Sequence, residues 1–180
     1  MSSYATGVKA LHWGMGTGIL ACFGTVQAAM NTPKGGTNLG LKRPEWMMYH
    51  KSIAVLVMAM LPARLALRAT SALPKAMPVS KIEKTMADAS HYAMYGFITV
   101  LPVTGFAMGL FNGGKGIPFF GLYTIPGFEK NGAIAGNAFK VHKQAGLAFE
   151  YFSLLHVSAV GYHLVRGHPV LYRMGIGAAK

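Results

Sequence analysis

Four histidines stand out by type and spacing: His12, His50, His142 and His156. An imidazole is a good ligand for a transition metal, and it is costly to place in an apolar stretch without a job or a partner. Each of the four lies in such a stretch. His142 and His156 share one apolar segment and stand 14 residues apart. At about 100° and 1.5 Å per residue, that spacing returns to within roughly 40° of the same helix face, about 21 Å further along. One helix would then offer an imidazole near each side of a hydrocarbon core ~30 Å thick. His12 opens one apolar segment and His50 opens the next, which must run the opposite way. They therefore fall on opposite sides, one at each level of the last helix. Two pairs of neutral imidazoles stacked across a bilayer suit two six-coordinate b haems, between which single electrons can pass.

The elements that must position these rings are apolar helices. The chain of 180 residues is 52% hydrophobic and 12% charged, against roughly 25% charged in ordinary soluble domains. Residues 10–33 and 89–114 contain no Asp, Glu, Lys or Arg, and both runs exceed the ~20 residues that cross a bilayer. Residues 52–63 are uncharged between Lys51 and Arg64, which can snorkel from the helix ends, and 146–165 carry one acid, Glu150. Four spans are predicted, about 8–30, 46–68, 86–111 and 138–166, forming one all-α integral membrane four-helix bundle over residues 1–180. A soluble bundle with a Met-rich core is the competing reading. The first apolar run lacks a compact small-residue cleavage site and is expected to remain in the chain.

The connectors carry turn chemistry. Thr32-Pro33-Lys34-Gly35-Gly36 and Pro44 mark the first. Pro74 and Pro78 mark the second, which ends in Ser80 and Glu83, a capping-box pattern for the third helix. The third, about 112–137, is long and aromatic, with Pro118-Phe119-Phe120-Gly121-Leu122-Tyr123 and Pro126-Gly127-Phe128. It is expected to lie at the membrane interface and cap the bundle. Pro102 should kink the third span.

The net charge of +12 raises the question of nucleic acid. No basic run or recognition motif supports it, because the 17 Lys and Arg are spread over all the extramembrane segments. They divide almost evenly between the two predicted sides, so the positive-inside rule gives only a slight preference for termini on the cytoplasmic or matrix side. The single Cys22 permits neither a disulfide framework nor a covalent haem attachment motif.

Of the three further histidines, two compete with the first four. His163 follows His156 by seven residues on nearly the same face, closer to the surface and to Arg166; His91 opens the third helix on the His12 side. Either could replace a chosen ligand or serve as a proton source. His168, before Pro169, reads as a surface residue. Zinc fits poorly, since the spacings match no compact motif and two levels cannot share one ion. Arg64 and Arg68, one turn apart at the end of the second helix, could pair with haem propionates or anchor the helix to lipid phosphate. Gly14, Gly16, Gly18 and Gly24 would allow close approach of a porphyrin or of another helix.

Taken in order, these pieces resemble the prokaryotic-type cytochrome b561 family. The matching features are His12-Trp13, His50 with Arg64 fourteen residues on, Ser90-His91-Tyr92, Leu101-Pro102-Val103-Thr104-Gly105, Phe119-Phe120-Gly121-Leu122, and the series His142, His156, His163. The resemblance covers nearly the whole chain. It implies a four-helix membrane fold, two haem b groups on His12, His50, His142 and His156, and electron exchange with quinone. Some members of the family oxidise superoxide and reduce ubiquinone; others are cytochrome subunits of larger redox complexes, such as hydrogenases. The implied location is a bacterial or mitochondrial inner membrane. The implied partners are lipid, quinone and possible companion subunits of a respiratory complex, with His91, His163 and Arg64 as residues of a quinone site.

Overall fold

The computed structural model describes residues 3–75 and 79–177; Pro78 of the second connector and Lys180 lie outside the described residues. Four long helices account for most of the chain: α1 (Thr6–Met30), α2 (Arg43–Thr70), α3 (Lys81–Leu110) and α4 (Gly132–Val165). A one-turn helix, α5 (Val170–Arg173), follows.

Local chemistry sets the helix starts further out than the apolar runs alone suggest. α2 begins with Pro44 in its first turn, and the Glu45 carboxylate accepts a 2.7 Å hydrogen bond from the Lys42 N–H. α3 begins at the Ser80–Glu83 box: the Glu83 N–H donates to Ser80 Oγ, and the Ser80 N–H to the Glu83 carboxylate. α4 begins after Asn131, whose side chain accepts from the Ile134 N–H at 3.1 Å. Caps therefore extend α3 and α4 by a turn or more beyond the stretches that hydropathy marks, since a polar first turn can lie outside an apolar span.

The core is a narrow seam where the helices converge. Met15 of α1, Val57 and Leu61 of α2, Ile98 of α3 and Phe149 of α4 pack into one buried cluster. Outside it, large apolar side chains point outward; Leu154, Leu155 and Val157 of α4 are 64%, 64% and 60% exposed. A soluble bundle hides such residues, whereas lipid solvates them. Both α2 and α3 are long and apolar enough to cross a membrane.

Small residues let α1 and α2 approach closely. A Cβ at Gly18 would sit 2.6 Å from Val57 Cγ2, and one at Gly14 would sit 3.7 Å from Met60 Sδ, so both glycines serve contact between helices. Gly16 and Gly24 face open space.

The third connector departs from the all-α expectation. Residues Ile117–Phe119 (β1) and Tyr123–Ile125 (β2) pair antiparallel in register Ile117↔Ile125. The hairpin forms because Phe120 and Gly121 take φ of 50° and 72°, the mirror-image turn whose twist matches paired strands. Ser52, fully buried in α2, latches it: its hydroxyl donates to the Met48 carbonyl at 2.7 Å and accepts from the Phe120 N–H at 2.8 Å. Ile117 fills the space over Gly109 of α3, where a Cβ would come within 2.4 Å of Ile117 Cγ1. The hairpin thus closes the end of the bundle nearest His50. At the other end the chain folds back on α1, where Trp13 Nε1–H donates to the Met174 carbonyl at 2.8 Å and the Tyr4 N–H to the Arg173 carbonyl at 3.1 Å.

Candidate functional site

The histidines gather at two levels. At the hairpin end, the rings of His50 (α2) and His142 (α4) lie 6.3 Å apart between centroids, nearly perpendicular. His50 Nδ1 is 3.0 Å from the Cys22 carbonyl of α1. His142 Nδ1 is 3.0 Å from the Leu101 carbonyl and 3.0 Å from Thr104 Oγ1, both on α3. A carbonyl can only accept, so both Nδ1 atoms carry the proton and both Nε2 atoms carry the lone pair. The Thr104 hydroxyl donates to the Val100 carbonyl at 2.7 Å and is left to accept from His142. Gly105 makes room for this ring: a Cβ there would lie 3.3 Å from His142 Cε1.

At the opposite level His12 (α1) and His156 (α4) are also 6.3 Å apart between centroids. His91 of α3 lies 6.1 Å from His156, so three imidazoles share this end. Trp13 meets His12 edge-on at 5.3 Å, held by its bond to Met174. Arg64 Nη2 sits 3.2 Å from His12 Nδ1. A guanidinium can only donate, which places the His12 proton on Nε2, the opposite tautomer to His50 and His142. For His12 to bind a metal through Nε2, Arg64 would have to release Nδ1. Among the described residues the buried Arg64 Nε atom has no hydrogen-bond partner, and the guanidinium packs 5.9 Å from the Tyr95 ring centre.

Arg68 lines a cavity of about 360 Å³ with Leu73, Asp88, His91, Tyr92 and Tyr95. His163 is engaged elsewhere: its Nδ1 is 2.9 Å from Nδ1 of His168, and the two imidazoles share one hydrogen bond. His168 is therefore a partner of His163 and not a free surface residue. Sequence reasoning missed it, along with Thr104 and the Leu101 and Cys22 carbonyls. The Pro102–Gly105 motif was the one available signal for the His142 anchor.

The prokaryotic cytochrome b561 profile matches residues 3–177. The chain belongs to the prokaryotic cytochrome b561 family. No curated protein matches it. Membership makes the chain a helical membrane protein that binds haem b and transfers electrons.

The side chains present fit that group. Two imidazole nitrogens each about 2 Å from one metal ion, with the ring centres about an ångström behind, would put centroids roughly 6 Å apart. Both histidine pairs have that separation. The protonated Nδ1 atoms of His50 and His142, each on a backbone carbonyl, are the outer-shell arrangement that fixes a ligating ring and raises its basicity. The unpartnered Arg64 Nε is a buried cation donor of the kind a carboxylate such as a propionate takes up.

Proposed function

We propose that this protein is a four-span bundle holding two haem b groups, one on His50 and His142 and one on His12 and His156. It would pass electrons from a one-electron donor to membrane quinone. The observation that carries the reading is the pair of equal 6.3 Å histidine contacts, one at each end of α4. The haems supply one-electron exchange between the faces of an inner membrane. The protein's part is to hold the four rings, to fix the tautomers of His50 and His142 through Cys22, Leu101 and Thr104, and to keep water away with the Met15–Phe149 seam.

At the His12 end, Arg64 and Arg68 provide cations for propionates. The cavity bearing Arg68, His91 and Tyr92 suits a quinone headgroup, with His91 as hydrogen-bond donor or proton source and Arg64 close by. His163 belongs to the same end but faces His168, so its share in quinone binding is the smaller. At the His50 end, Lys51, Lys115, Lys140 and Lys143 give a basic surface that would draw in a small anion, and superoxide is the donor proposed there.

A second reading is supported by the hairpin tip, where Leu122 and Tyr123 are 85% and 62% exposed. Such a tip suits a companion subunit, as in a larger respiratory complex where the haems relay electrons between chains. The deciding experiment generates superoxide enzymatically in the presence of the purified protein and a soluble ubiquinone. Catalytic quinol formation by the isolated chain supports the first reading. Haem reduction without turnover, together with isolation only as part of a larger assembly, supports the second.

A further inference from the structure

The chain has five acidic residues. Glu45 and Glu83 lie in the first turns of α2 and α3, Asp88 pairs with Lys84, and Glu129 lies in the connector before α4. Glu150 alone is deep within a helix. It lies six residues before His156 and eight after His142, about 9 Å and 12 Å away along α4. It is half-buried, and both carboxylate oxygens are 3.2 Å from Nε2 of Gln27 on α1. Gln27 is three residues from the end of α1, about one turn from the connector on the His50 side.

Resting on the two-haem reading, we infer that Glu150, held by Gln27, is the internal proton acceptor that compensates an electron stored at the histidine levels. A carboxylate inside an apolar span is costly and marks a functional group by default. Among the described residues its hydrogen-bond partner is the neutral amide of Gln27, which orients it and supplies no balancing charge. An electron arriving on iron adds negative charge nearby in a medium of low dielectric, and a like charge favours the protonated carboxyl. The step balances: one electron enters from the donor, one proton enters from water and binds a Glu150 oxygen, and the net charge is unchanged. Oxidation reverses both. The other titratable groups on the neighbouring helices are Lys9, His12 and Cys22 on α1 and Lys81, Glu83, Lys84, Asp88, His91, Tyr92 and Tyr95 on α3, with Lys140, His142, Lys143, Tyr151, His156, Tyr162 and His163 on α4 itself. The two carboxylates among them, Glu83 and Asp88, sit near the start of α3 and are engaged by Ser80 and Lys84.

The experiment is a redox titration of the purified holoprotein across pH, with haem content measured on each sample. The wild type is expected to show at least one midpoint potential that falls as pH rises. In Glu150→Gln, which keeps a hydrogen-bonding partner for Gln27, that slope should vanish and the potential should lie higher. Glu150→Asp should restore the slope. In the wild type, infrared redox-difference spectra should contain a protonated-carboxyl band on reduction that Glu150→Gln lacks. A Glu150→Gln protein with full haem and an unchanged slope would overturn the proposal and assign the coupling to propionates. A pH-independent wild type would overturn it as well. A wild type without haem would overturn the two-haem reading itself.

Discussion

At the residue scale the histidines are defined by what holds their second nitrogen. His50 and His142 each give Nδ1–H to a backbone carbonyl, while His12 receives a guanidinium donor. Thr104→Val removes one of the two acceptors of His142. It should leave haem content unchanged and alter the low-spin signal of the His50/His142 haem alone, checked by electron paramagnetic resonance. Arg64→Leu should weaken retention of the His12/His156 haem. A hydrogen bond to a charged group is worth about 1.5–3 kcal/mol, so retention should fall about tenfold or more. His156→Ala should cost a haem and His163→Ala should not, because His163 is engaged with His168. In the sequence His142 and His156 stood out by their 14-residue spacing and His12 and His50 by their apolar settings, and the structure brings the four rings together in two pairs. Their anchors were not, because a carbonyl has no sequence identity: Cys22 reaches His50 across 28 positions, and Leu101 reaches His142 across 41.

At the element scale, hydropathy marked the stretches that hold the long helices, of which α2 and α3 are apolar and long enough to cross a membrane, and capping groups set where α2, α3 and α4 begin. The capping box at Ser80 was readable because its donor and acceptor lie three residues apart. The β1–β2 hairpin was not, although its residues were noted, because its latch to Ser52 joins positions 68 apart. Ser52→Ala leaves the Phe120 N–H without its partner in a buried setting. That should cost about 1–3 kcal/mol, seen as a lower temperature for thermal haem release in detergent. Gly109→Leu should be worse, since even a Cβ there meets Ile117 at 2.4 Å. An unchanged release temperature in both variants would mean that the hairpin does not secure the His50 end.

At the scale of the whole molecule, a thin seam of buried residues holds α1 to α4 together, and the outward faces are apolar. Such a chain depends on lipid to solvate what a soluble protein would bury. The even spread of its basic residues left the orientation open to sequence reasoning, because the positive-inside rule needs an imbalance. The basic groups have a kinetic consequence if the donor is a small anion. Exposed charges are screened over about 8 Å at physiological ionic strength. The rate of haem reduction by superoxide should therefore fall as salt rises. Lys→Glu changes at Lys115 and Lys140 should slow it, while the same changes at Lys81 and Lys84 should leave it nearly unaltered.

The central claim is two haems on two histidine levels, and haem stoichiometry by pyridine haemochrome tests it most directly. The purified wild type should bind two haem b per chain. His50→Ala and His142→Ala should each leave one, with identical residual spectra, and His12→Ala should leave the other. One haem or none in the wild type, or different residual haems in His50→Ala and His142→Ala, would contradict it.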